Sequence, residues 1–196
     1  MIDSIINKVK GFFLTPVETF QQVRDDEPSV VFTYLAVLLL INAIFSALIA
    51  AVGFNSMQMF AGMTWGVAVP VMVFFMVLVG GFIFTLILGA WVHLWVYLFG
   101  GRNGIMQTLK AIIYGKTPHL LLGWIPFIGF IFTLWSIVLG ILGIRELQEL
   151  STGKSIFAVI IAIIIPLVLL IILAAYFMIA YVTTSAMPGV PPTNLL

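Results

Sequence analysis

Residues 66–99 read GVAVPVMVFFMVLVGGFIFTLILGAWVHLWVYLF, 34 residues without Asp, Glu, Lys or Arg, and whether they form one helix or two decides the fold. As one helix the stretch is about 51 Å long at 1.5 Å per residue, well beyond a hydrocarbon core of roughly 30 Å. Charge placement resolves the choice, because Lys and Arg accumulate in cytoplasmic loops. With one helix here, Lys8, Lys10, Arg24, Arg102, Arg145 and Lys154 all fall in segments on one side, and the opposite loops hold no charge. A break at Gly80-Gly81 would send Arg102, Arg145 and Lys154 across. One long helix is therefore expected, its excess length taken up by tilt or a protruding end.

The rest of the chain fits around that helix. Its 196 residues are 63% hydrophobic and 8% charged, against about 25% charged in soluble domains, so lipid must be its solvent. The expected fold is all-α, a polytopic transmembrane bundle of five spans at about 30–54, 66–99, 105–124, 127–144 and 156–182, preceded by amphipathic interfacial helices; the apolar turn Trp124 to Gly129 leaves the third and fourth either crossing fully or forming a re-entrant hairpin. Residues 1–28 form the near-side interfacial segment, 29–183 the transmembrane domain, and 184–196 a short far-side tail. The first apolar run is too long for a cleavable signal peptide. The reading gives a multi-pass membrane protein, amino end cytoplasmic and carboxyl end outside.

Ahead of the first span, Ile2, Ile5, Ile6, Val9, Phe12 and Phe13 recur at helical spacing opposite Asp3, Ser4, Asn7, Lys8 and Lys10. Such a helix lies in the membrane interface, with Lys8, Lys10, Phe12 and Phe13 as its expected contacts to lipid. Thr15-Pro16-Val17-Glu18 reads as a second helix start, with Thr15 as cap.

The third span is the most polar, with Lys110, Tyr114, Lys116, Thr117, Pro118 and His119 as a candidate intramembrane cluster. Ionisable groups inside a membrane are expensive and point to function. Lys110, near a helix end, is expected to snorkel to headgroups. Lys116 lies about 16 Å along the helix from Ile105 and needs a carboxylate, a carbonyl, water or a lipid phosphate. Pro118 deprives the Tyr114 carbonyl of its helical donor, with Tyr114, Thr117 and the lysines at hand to compensate. His93 is read as a satisfied interfacial or core histidine. In the fourth span Gly129, Thr133, Ser136, Gly140 and Gly143 line one helical face, a stripe for close packing within the chain or, alternatively, between copies. Ala43, Ala47 and Ala51, and Gly81, Thr85 and Gly89, repeat it.

Several classes are excluded. No cysteine exists, the spans carry no carboxylate for a hydrolase triad, two isolated histidines make no metal site, and a net charge of +1 leaves no nucleic-acid footprint. Gly153-Lys154-Ser155 lacks the rest of a phosphate loop. No cofactor or metal is expected.

The run Gly100-Gly101-Arg102-Asn103-Gly104, then Gln107, Leu109 and Lys110, then Tyr114-Gly115-Lys116-Thr117-Pro118, resembles the YIP family of Ypt/Rab-interacting membrane proteins, with Pro16 and Phe20 ahead of the first span in support. Gly100, Gly101, Tyr114 and Pro118 carry the family motif. Ile113 replaces the glycine of the eukaryotic Gly-Tyr-x-x-x-Pro, and the Asp-Leu-Tyr-Gly-Pro motif and longer cytosolic domain of those members are missing, so the chain resembles a prokaryotic member. The resemblance implies a non-enzymatic membrane scaffold, shaping or partner-recruiting protein, with lipids and other membrane proteins or a second copy as partners. The alternative reading is a small transporter, channel or lipid-moving protein built on the polar third span.

Overall fold

A computed structural model describes residues 2–53 and 68–186. The expected far-side loop at 55–65 and the tail beyond residue 186 lie outside the described residues. Among the described residues every regular element is helical: α1 Ile2–Leu14, α2 Pro16–Gln22, α3 Pro28–Ala51, α4 Ala68–Leu98, α5 Ile105–Gly115, α6 Thr117–Leu122, α7 Ile128–Leu147 and α8 Thr152–Ala186. α4 passes through Gly80-Gly81 unbroken, with a π-helical turn at Met76–Gly80 that returns to α-helix at Gly81. Prolines open α2 and α3, where a missing N–H is no loss. Thr15 makes no side-chain cap, contrary to expectation; its carbonyl instead accepts the Thr19 hydroxyl at 2.8 Å.

Among the described residues four helices are long and apolar enough to cross a membrane: Pro28–Ala51, Ala68–Leu98, Ile128–Leu147 and Thr152–Thr183. The single helix expected over 105–124 is instead two, α5 and α6, meeting at Lys116. The cause is Pro118, whose ring clashes with the carbonyl four residues back and which offers that carbonyl no N–H. The chain restarts with Pro118 in the first turn of α6. The Tyr114 carbonyl is satisfied by the Thr117 hydroxyl at 2.6 Å.

The chain divides into two units, to Val159 and from Ile160. In the first, α5 and α6 lie along α7 as the two arms of a hairpin. A Cβ on Gly115 would stand 2.9 Å from the Gly140 amide nitrogen, so the backbones touch. The hairpin tip is placed by Trp124, stacked on Phe45 of α3 with ring centroids 4.5 Å apart. Phe45 is about 26 Å along α3 from Pro28, and α3 continues about 9 Å further to Ala51. The stack thus lies short of the end of α3. Asn42, buried within α3, donates to the Leu120 carbonyl at 2.8 Å, one of the carbonyls that so short a helix cannot satisfy itself. Of the other small-residue stripes, Gly81 admits Leu39 and Gly89 admits Leu109. The second unit continues α8 as a helical segment containing Pro166, with large apolar side chains such as Leu170 and Ile172 exposed.

Candidate functional site

The polar residues of 105–124 do not form one cluster. They separate into three groups, each with its own partners. The first is a node where α1, α2, α3 and α5 meet. Tyr114, fully buried, donates its hydroxyl to the Asp26 carboxylate. Lys8 pairs with the same carboxylate and reaches the Tyr114 hydroxyl at 3.3 Å. Around this centre Phe12 stacks on Tyr114 at 5.3 Å between centroids, Tyr34 meets it edge-on at 5.0 Å, and Phe12 tilts against Phe20 at 4.8 Å. Thr117 spends its one proton on the Tyr114 carbonyl, so Tyr34 is the donor in the 2.8 Å bond between their hydroxyls.

Two expectations are corrected here. Phe12 is not a lipid contact: it is 0% exposed, and with Lys8 it fastens α1 to the protein. Lys10 is exposed and Phe13 partly so. Lys110 does not snorkel. It is 4% exposed and donates to the Arg24 carbonyl just past the end of α2, joined by Gln107 at 3.2 Å. A lysine at a helix C-terminus satisfies orphan carbonyls and complements the negative end of the dipole. The packing arm of the node completes it, because Gly143 leaves room for the Phe20 ring, 2.7 Å from where a Cβ would stand.

The second group is the glycine turn 100–104. Gly100 and Gly104 have φ of 104° and 85°, a region that side chains disfavour. Gln148 braces the turn: its Oε1 accepts from the Asn103 amide at 3.1 Å, and its Nε2 donates to the Gly104 carbonyl at 2.7 Å and to Thr108 at 2.9 Å. Thr108 bonds His93 Nδ1 at 2.8 Å, so His93 is a partnered structural residue.

The third group lies on the α6 side. Lys116 donates to the Thr85 hydroxyl at 2.9 Å and stands 5.4 Å from the centre of the Phe84 ring; it forms no ion pair among the described residues. His119 bonds Thr133 through Nδ1 at 2.9 Å. Thr133 gives its own proton to the Gly129 carbonyl, so Nδ1 carries the hydrogen. Ser136 accepts from the His119 amide at 3.0 Å. The stripe Gly129, Thr133, Ser136, Gly140 and Gly143 is accordingly spent on the hairpin and on Phe20. Among the described residues no three His, Asp or Glu side chains gather as a metal set.

Asp26 and Gln148, which organise two of the three groups, carried no signal in the sequence; each lies in a polar surface segment whose partners come from distant parts of the chain. The motif residues, by contrast, each have a physical duty: Gly100 for its backbone, Gly101 because a Cβ would come within 2.5 Å of Val96, Tyr114 as the hub and Pro118 as the break. A family model, the Yip1 domain, matches residues 10–188. The chain belongs to the Yip1 domain family. No curated protein and no solved structure matches it. Membership together with four long apolar helices makes this Yip1 domain protein an integral, multi-pass membrane protein.

Proposed function

We propose that this Yip1 domain protein is a non-enzymatic membrane scaffold that shapes the bilayer or recruits partners from its amino-terminal side, taken as cytoplasmic. The supporting observation is the two-faced α1. Its inner face is held by Phe12 and Lys8 to the Tyr114 hub, while Ile2 at 68%, Ile6 at 44% and Leu14 at 78% exposure present apolar surface outward beside exposed Lys10. An amphipathic helix fixed rigidly to a bundle inserts area into one leaflet without leaving it. In this reading the α5–α6/α7 hairpin enters from the near side as spans three and four, giving five passes.

The test is reconstitution of the full chain in vesicles of defined size. Wild type is expected to shift the population to smaller diameter, and Ile6→Glu with Leu14→Glu to abolish the shift while the protein remains incorporated. An unchanged diameter with wild type sinks the shaping reading. The transport alternative rests on Lys116, which among the described residues meets the Thr85 hydroxyl and the Phe84 ring and no counter-charge. It requires flux that disappears in Lys116→Leu; the internal engagement of Lys110, Tyr114, Thr117 and His119 favours a scaffold.

A further inference from the structure

A cavity of about 240 Å³ opens between the first turns of α1 and α3, lined by Ser4, Ile5 and Lys8 on one side and by Ser29, Thr33 and Tyr34 on the other. Pockets for drug-sized ligands run from about 300 Å³, so this one suits a small polar group. Because α3 is a spanning helix that begins at Pro28, the cavity stands at headgroup level. Below it Val30, Thr33, Ala36 and Leu40 are exposed along one face of α3, a track that small side chains leave shallow.

The charges around the cavity are mixed. The Lys8 ammonium has three N–H donors, of which two go to Asp26 and Tyr114, leaving one. The Ser4 hydroxyl has no hydrogen-bond partner among the described residues, and the Thr33 hydroxyl donates to the Ser29 carbonyl at 2.7 Å. Ser29 donates to the Glu27 carboxylate at 3.4 Å, and Glu27, exposed, has no cation partner among the described residues. A cationic donor of Lys8 thus lines the cavity, and the Glu27 carboxylate stands next to its lining, bonded to Ser29. A net anionic headgroup would meet Asp26 and Glu27 unfavourably. A zwitterion matches both signs.

We infer that this cavity binds the headgroup of a phosphoethanolamine-type phospholipid. The phosphate takes the free donors of Lys8 and Ser4; the ammonium, with three N–H groups of its own, reaches Glu27 and Ser29; one acyl chain follows the Val30 to Leu40 face. The site goes beyond the scaffold reading, since it requires α1 seated on α3 but no change in vesicle shape.

The test measures retention of short-chain lipids by the purified full chain in detergent, by native mass spectrometry. Phosphatidylethanolamine is expected to bind at least tenfold tighter than phosphatidylglycerol, with phosphatidylcholine between them. Thr33→Leu and Ser29→Leu, both at exposed positions of α3, fill the cavity and should lower that binding at least tenfold without moving the thermal midpoint. Glu27→Gln should erase the preference for ethanolamine while leaving phosphate-dependent binding. Equal binding of phosphatidylglycerol, or full binding by the filled variants, overturns the site. Free phosphoethanolamine binding as tightly as the lipid would overturn the lipid assignment, since the acyl track would then contribute nothing. Because lipid retention and vesicle diameter are separate readouts, failure here leaves the scaffold reading standing, and the reverse also holds.

Discussion

Lys110 and Lys116 lie six residues apart in one apolar stretch, yet their surroundings differ. Lys110 is buried and closes the end of α2 through the Arg24 carbonyl; Lys116, among the described residues, meets the Thr85 hydroxyl and the Phe84 ring alone. Replacing each with Met separates their duties. Lys110→Met leaves a polar backbone group short of a charged donor and is expected to cost about 1–3 kcal/mol, seen as a lower unfolding midpoint in detergent. Lys116→Met removes an ion with no counter-charge among the described residues and is expected to be neutral or stabilising; a large loss would reveal a buried role for the charge. The sequence marked both positions as polar residues in a span. Depth along the helix assigned Lys110 to the headgroups and missed the Arg24 carbonyl that holds it inside, because a lysine's cost depends on the acceptor that folding brings to it.

Helix by helix, the decisive device is close approach. The Gly115 Cα and the Gly140 backbone face each other, whereas a Cβ on Gly140 would meet nothing within 4 Å. Gly115→Ala should therefore push α5 from α7 and destabilise by about 1–3 kcal/mol, while Gly140→Ala should be tolerated; the reverse order in thermal unfolding would contradict the hairpin. The stripe 129–143 was legible because small residues at helical spacing are visible in one dimension, but which glycine bears the contact was not. For α1 the amphipathic period was equally legible, and the side that faces protein was misread. Phe12 belongs to the Tyr114 hub, so Phe12→Ala is expected to cost about 3–5 kcal/mol, whereas Ile6→Glu should leave the unfolding midpoint unchanged because Ile6 is exposed. Apolar periodicity identifies a buried face without saying whether lipid or protein buries it.

Across the molecule, three of the six cations expected on one side, Lys8, Arg24 and Arg145, are ion-paired within the first unit. Lys8 pairs with Asp26, Arg24 with Glu149 at 2.7 Å, and Arg145 with Glu146, and Gln148 ties the glycine turn to the end of α7. The proposed topology makes a direct prediction, convenient in a chain with no cysteine of its own. In sealed vesicles or cells, Lys10→Cys should react with an impermeant thiol reagent only from the cytoplasmic side and Val182→Cys only from the opposite side. Labelling of both from one side would require an even number of passes and defeat the five-pass reading.

Composition and apolar run length were enough, by themselves, to determine an all-helical, multi-pass membrane protein, because hydrocarbon admits so few backbone arrangements that these two quantities nearly exhaust the choice. The glycine turn and Tyr-x-x-x-Pro were enough to point to the family. Tertiary structure alone decided that the third apolar run breaks at Lys116, that α1 is fastened inward by Phe12 and Lys8, and that Asp26 and Gln148 are the organising polar residues. Each depends on a carbonyl, carboxylate or ring contributed from tens of residues away, and no periodicity within a single helix records which distant group will arrive.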